Sequence, residues 1–369
     1  MDRRQRLAAI ALCLWAACGG ASSYGTGAPI GPGAKPSSSI SGLRPHAALS
    51  KGKLTYAVAL SSADRVAFSV ELGVEFSLAV HDLGDGKLKP RLRFRKRLGV
   101  ATYDVHDLAI DHRRNEAWVA SADGRVRGFN GRTGKQLADI HVGAPATSLA
   151  ISADGKYLAT GTQTGVLCLR RRRDLALLQC TTAHGQRLSG LDFNAAGNSL
   201  ASASWDGNVT LWRVPSLAVV ARHKVAGSAN DVAISASDGT IAIAVSGEPP
   251  VRTPELAARE KTAGVAHDPR AGVIVWNVSK QSSQRCKGHR APVTSVAFSP
   301  NGTRLMSSSW DRSVRLWETN SCATVATVPG FGHLVRDVAI GAAGRRACVG
   351  AWSSDLASNS TLAFDLLYP

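Results

Sequence analysis

The sequence contains no G-x-x-x-x-G-K-[ST] loop to cradle phosphates, no dinucleotide-binding glycine fingerprint and no H-E-x-x-H motif. It has no EF-hand-like acidic run, and no C-x-x-C or paired Cys/His cluster at metal-ligand spacing. Carboxylate pairs spaced for acid–base work do not stand out either. No catalytic residues, metal or cofactor are therefore expected. Long stretches with a helical period are few. Instead there are 36 glycines, and short Val/Ile/Leu/Ala runs broken by Asp-Gly, Asn-Gly or Ser-rich turns. That punctuation points to an all-β protein. With 369 residues and 44% hydrophobic content, the chain has ample material for a packed core.

Acid is scarce beside base: 27 Asp and Glu face 44 Lys and Arg, a formal charge of +17. Such a balance attracts anionic partners. Most of the excess is scattered, as on a large solvated surface. Only "RLRFRKR" (91–97) and "RRRR" (170–173) are dense. Neither has the periodic aromatics of a base-stacking surface, so no nucleic acid is expected.

The chain opens with Arg3, Arg4 and Arg6, followed by an eleven-residue apolar run from Leu7 to Ala17 and then small residues. That run is too short to span a bilayer and reads as an export signal over residues 1–18. "WAAC" at 15–18 resembles a bacterial lipobox, with Trp15 where Leu is usual, making Cys18 the lipidation site. A cleaved signal without lipid is the alternative. The implied location is the bacterial periplasm or outer membrane. Residues 19–43 are Gly/Ser/Pro-rich and read as a flexible tether. Beyond Cys13 and Cys18, five cysteines remain: Cys168, Cys180, Cys286, Cys322 and Cys348. Cys168 and Cys180 could meet across one hairpin, since export permits disulfides. Single buried thiols are the favoured reading.

An apolar triplet recurs as Val58-Ala59-Leu60, Leu108-Ala109-Ile110, Leu149-Ala150-Ile151, Leu191-Asp192-Phe193, Val232-Ala233-Ile234, Val296-Ala297-Phe298 and Val338-Ala339-Ile340. The last members lie 50, 41, 42, 41, 64 and 42 residues apart, a period near 42 in seven copies. Each copy continues with a polar turn, a second apolar strand, a tight turn and two more strands. Four antiparallel strands in such a period make a propeller blade. "GHRAPVTSVAFSPNGTRLMSSSWDRSVRLWE" at 288–318 resembles the WD-repeat β-propeller family almost position by position. The resemblance is strong in copies four and six, moderate in two, three, five and seven, and weak in one. It implies a seven-bladed propeller over residues 44–369. Residues 44–52 would supply an orphan strand completing the last blade, which would remove a free sheet edge.

"SASWDGNVTLWR" (202–213) and "SSSWDRSVRLWE" (307–318) repeat Ser, Trp, Asp and Trp in step. His184, Ser202 and Asp206 recur as His289, Ser307 and Asp311, which excludes a single Ser-His-Asp hydrolase site. The resemblance implies a structural network ending at Trp212 and Trp317. It leaves Trp205, Trp310 and Trp352 unexplained, at a turn position that the family projects onto its top face. Exposed tryptophans of this kind suit a binding surface, although each could simply cap its blade. An insertion at about 249–271, with a short helix near "PELAAREK", would wall a groove there, with Arg187, Arg290 and Arg336 nearby.

The reading is a monomeric, non-catalytic scaffold that binds a protein or peptide. The alternatives are a quinoprotein-like or lactonase-like propeller enzyme, or a basic envelope polyanion binder using 91–97 and 170–173. His106-Asp107, Asp231 and Asp337 precede corresponding triplets, a recurrence that argues for a positional role.

Overall fold

The computed structural model describes residues 43–51, 54–60, 66–72, 76–82, 92–94, 105–131, 133–236, 239–247, 270–329, 331, 334–341, 344–351 and 359–366. By contacts the chain divides into 1–29 with 249–267, and 30–248 with 268–369; every described residue belongs to the second unit. The signal-like segment, nearly all of the tether, Cys18, Trp352 and most of the 249–271 insertion lie outside the described residues, as does most of 91–97.

Strand β1 (Leu43–Lys51) precedes the first complete sheet, β2 (Leu54–Leu60), β3 (Val66–Leu72), β4 (Phe76–Asp82) and β5 (Leu92–Phe94). The second sheet is β6 (Val105–Asp111), β7 (Glu116–Ser121), β8 (Arg125–Asn130) and β9 (Gln136–His141). The third is β10 (Ala146–Ile151), β11 (Tyr157–Thr162), β12 (Val166–Arg171) and β13 (Leu177–Thr182). The fourth is β14 (Leu188–Phe193), β15 (Ser199–Ser204), β16 (Asn208–Arg213) and β17 (Ala218–Lys224). The fifth is β18 (Ser228–Ile234), β19 (Ile241–Ser246), β20 (Gly272–Asn277) and β21 (Ser282–Cys286). The sixth is β22 (Val293–Phe298), β23 (Arg304–Ser309), β24 (Val314–Glu318) and β25 (Thr324–Val328). The last three strands, β26 (Val335–Ile340), β27 (Arg346–Ala351) and β28 (Asn359–Leu366), pair in order, and β1 lies antiparallel against β28.

Each apolar triplet lies in the first strand of its sheet. These first strands touch in the order β2, β6, β10, β14, β18, β22, β26, and β26 touches β2. Burial falls from second strand to fourth. β15 and β23 are buried along nearly their whole length, whereas β9 alternates half-buried with exposed and β13 is mostly exposed. "SLASAS" and "RLMSSS" fill these buried strands with small residues, and buried serines such as Ser202 and Ser307 are hydrogen-bonded. The core therefore lies between facing sheets. Ala201, Ala203 and Val209 pack against Val232, Ile241 and Ile243 of the next sheet, and Met306 and Leu316 against Val338 and Val349. Full burial of each Val, Leu or Ile contributes roughly 1.5–3 kcal/mol.

The cysteines depart from the sequence reading. Cys168 and Cys180 are cross-strand partners on β12 and β13 and form a disulfide. Cys286, at the end of β21, is bonded to Cys322, in the β24–β25 turn, across two sheets. Among the described residues, Cys348 is buried and outside both disulfides. Cysteine spacing is silent about residues that packing brings together, so single thiols do not follow from it.

Candidate functional site: paired networks and a turn-edge surface

His184 precedes β14, Ser202 lies on β15, Asp206 in the β15–β16 turn and Trp212 on β16. Trp212 Nε1–H donates to Ser202 Oγ at 2.8 Å, and Ser202 Oγ lies 2.7 Å from His184 Nε2. The copy one sheet further but one is tighter. Trp317 Nε1–H donates to Ser307 Oγ at 2.8 Å, His289 Nε2 lies 2.8 Å from that oxygen, and His289 Nδ1 is 2.9 Å from Asp311 Oδ2. The corresponding His184 Nδ1 to Asp206 Oδ2 distance is 3.5 Å. One proton inventory satisfies both chains. The indole N–H occupies the serine as acceptor, so the hydroxyl proton is donated to Nε2 and the neutral imidazole keeps its proton on Nδ1, facing the carboxylate.

Titration agrees with that inventory. Burial lowers the pKa of both histidines, which keeps the rings neutral. Burial works against ionisation of Asp311, but His289, Ser313 and the Arg290 N–H outweigh it and bring its pKa down to about 2. Asp206 is lowered in the same way by the Asn208 and Gly185 N–H groups against burial. The left-handed turn that follows uses Gly207 (φ 78°) in one copy and Arg312 (φ 65°) in the other. A side chain at 207 would come within 2.5 Å of Gly227 O, whereas Arg312 bears the strain of a non-glycine there. Ser202 and Ser307 are completely buried. A nucleophile must meet a substrate; these hydroxyls meet only their own network.

The residue before each turn aspartate is Trp205 or Trp310. Both are half-buried, not projecting into solvent as the sequence suggested. Their backbones explain it: Trp205 N–H donates to Arg187 O at 3.1 Å and Trp310 N–H to Pro292 O at 3.0 Å, tying each turn to the connection entering its sheet. The Arg187 guanidinium lies 5.0 Å from the Trp205 ring centroid and its Nη1–H donates to Gln163 Oε1 at 3.3 Å. Arg187 also acts on His106 in the second sheet, as does Arg336 from β26; burial first, then these two cations, hold the His106 pKa well below its ordinary value. Trp205 thus carries Arg187 over its ring, and Arg187 and Arg336 both act electrostatically on His106. Arg290 is exposed, with its backbone N–H bonded to Asp311 Oδ2 at 3.0 Å.

A second set of carboxylates was visible in the sequence only as a recurrence. Asp107 on β6 accepts the Leu149 N–H of β10 at 2.8 Å, and Asp231 on β18 accepts the Val296 N–H of β22 at 3.0 Å. Asp337 on β26 accepts the Val58 N–H of β2 at 2.8 Å. Asp192 does the same to Ile234 at 2.8 Å from two places later, inside its triplet, so alignment on the triplet hides it. Each carboxylate spans two neighbouring first strands. Burial pushes Asp107 and Asp192 up to about 7, and raises Asp231 and Asp337 as well. Among the described residues no group of three His, Cys, Asp or Glu is placed to hold a metal ion.

Residues 176–213 and 280–318 match the model of the WD domain, G-beta repeat. These are the two segments that carry the complete networks. The chain is 25% identical over 217 residues to a periodic tryptophan protein 2 homolog of Dictyostelium discoideum, covering 52% of this chain and 23% of that protein. It is 28% identical over 185 residues to periodic tryptophan protein 2 of Arabidopsis thaliana, covering 49% and 18%. A Lissencephaly-1 homolog of Caenorhabditis briggsae is 35% identical over 71 residues, covering 19% and 18%. The chain spans less than a quarter of the length of each of these relatives. The likeness to WD40 repeats is shown over those two segments, and the seven four-stranded sheets are consistent with propeller blades. Proteins with these repeats typically act as non-catalytic, protein-binding scaffolds.

Proposed function

We propose that the seven sheets are blades of one closed propeller completed by β1, and that this propeller is an exported, non-catalytic scaffold for a protein or peptide partner. Closure is supported by the β1–β28 pairing, the β26–β2 contact and the Asp337–Val58 hydrogen bond. The observation that carries the binding reading is Arg187 laid over Trp205, 5.0 Å from the ring centroid. A half-buried aromatic covered by a cation is a preformed anchor, and Trp and Arg dominate binding hot spots. Trp310 and Arg290 would extend that surface, while Trp352 and most of the 249–271 insertion lie outside the described residues. Two disulfides support an oxidising compartment, consistent with export and with an anchor at Cys18.

The test is capture of partners from cell-envelope fractions by the full chain, compared with Arg187→Glu and with a Trp205→Ala/Trp310→Ala/Trp352→Ala variant. Unchanged thermal unfolding of Arg187→Glu separates loss of binding from loss of fold. A partner retained equally by all three proteins overturns the proposed surface. The polyanion reading loses half of its 170–173 run. Arg172 is buried over Trp118, 4.2 Å from the ring centroid and 3.6 Å from Asp111, and Arg170 donates to Leu175 O at 3.1 Å.

A further inference from the structure

β13 pairs with β12 and is the last strand of its sheet, so its other edge presents unpaired backbone groups. Such edges attract foreign strands and are usually defended by charge, proline or cover. β9 carries Asp139 and His141, β17 carries Arg222, His223 and Lys224, and β21 carries Arg285. β25, "TVATV", has no charge, but half of its length is turned into the core. β13 reads "LLQCTT", with neither charge nor proline, and stays exposed along nearly its whole length. Leu177 and Leu178 are 53% and 37% exposed. The Cys168–Cys180 bridge ties this undefended edge to β12, so it is held in extended form without a partner.

At the start of β13 lies a groove of about 840 Å³ between this sheet and the β16–β17 turn, with an apolar floor of Tyr157, Leu178 and Pro215. Arg114, Lys156, Arg171 and Arg173 also line it. The Arg173 and Lys156 side chains are 72% and 70% exposed. Three acids are close by: Asp111 is 4.0 Å from Arg114, Asp154 is 2.9 Å from Lys156, and Asp174 is 3.1 Å from Arg171 and 3.4 Å from Arg173. Four cations against three carboxylates leave the groove positive. The turns lining it, at 154–156 and 215–216, lie at the opposite ends of the strands from the Trp205 turn.

We propose that β13 is an acceptor edge for an extended acidic segment of a partner protein, which adds as a fifth strand with its main chain on β13 and its carboxylates on Lys156, Arg171 and Arg173. Strand addition of this kind takes affinity from main-chain hydrogen bonds and selectivity from side chains beside the edge. A second copy of the chain is the poorer occupant, because two molecules of charge +17 repel.

The probe is a fluorescein-labelled peptide of alternating glutamate and valine, titrated with the full chain and followed by anisotropy. Three comparisons accompany it: the same peptide N-methylated at alternate residues, a lysine–valine peptide, and the Arg171→Glu/Arg173→Glu variant. The expected result is binding that weakens at least about tenfold in each comparison and falls with added salt. Trp205→Ala should bind the peptide as the parent does, so failure here and failure of the Trp205 surface are separable. Absence of binding, equal binding of the N-methylated or lysine peptide, or full binding by the double variant overturns the proposal. So does self-association of the chain through this edge in sedimentation. The two arginines are exposed, so an unchanged unfolding midpoint verifies that the variant is folded.

Discussion

Two sets of aspartates sit in this molecule in opposite electrostatic states. Asp206 and Asp311 occupy turns between second and third strands, where several donors converge, and their pKa values are lowered. Asp107, Asp192, Asp231 and Asp337 occupy first strands, where each spans two sheets through backbone N–H groups, and their pKa values are raised. Burial opposes charge in both sets. In the turns an imidazole N–H, a hydroxyl and backbone N–H groups overcome it at Asp311; in the first strands two backbone N–H groups do not. The first-strand carboxylates also repel one another, since Asp337 acts on both Asp107 and Asp231. What a carboxylate contributes to the fold is thus set by its burial and by the donors that offset it.

The largest way to break this comparison is to remove the hub of a turn network. Ser307→Ala leaves the Trp317 N–H and the His289 Nε2 without a partner in a dry site, and should cost roughly 2–4 kcal/mol in urea unfolding. Next comes the acid limb. The folded pKa of Asp311, about 2, lies below its ordinary 3.8, so its stabilisation is present above pH 3.8 and is lost as pH falls through 2. Unfolding curves at successive pH values should show a gap of roughly 2 kcal/mol between the parent and Asp311→Asn at pH 7, closing in that window. Asp206→Asn should show a smaller gap, because its histidine contact is 3.5 Å against 2.9 Å. The effect at Asp107 has the opposite sign. Asp107 is raised to about 7, so the stability linked to its proton is present below pH 3.8 and is lost as pH rises through 7. Asp107→Asn should therefore cost less at pH 8 than at pH 5; an equal cost at both would contradict the raised pKa.

Much of the fold was legible because strand length and turn length fix spacing. The apolar triplets mark every first strand. The distances from His184 to Ser202, Asp206 and Trp212 repeat at His289 because both copies use the same strand register. The candidate surface was only half legible. Position in the turn marked Trp205 and Trp310, but their partial burial depends on backbone bonds to Arg187 and Pro292, whose placement no local pattern reveals. The run 170–173 read as uniform charge, whereas β12 and its turn send Arg170 and Arg172 inward and leave Arg171 and Arg173 lining the groove.

The sequence by itself determined the strand period, the repeat number and the composition of each network, since these depend on neighbours within a few dozen residues. Only the tertiary structure decided which elements meet across sheets. The matched repeats 176–213 and 280–318 each begin in the last strand of one sheet and end in the third strand of the next, so a sequence repeat is not a sheet. The Cys286–Cys322 bridge, the carboxylates spanning first strands and the pairing of β1 with β28 all follow from that offset packing. They are contacts between neighbours in space, and a periodic sequence says only that such neighbours exist.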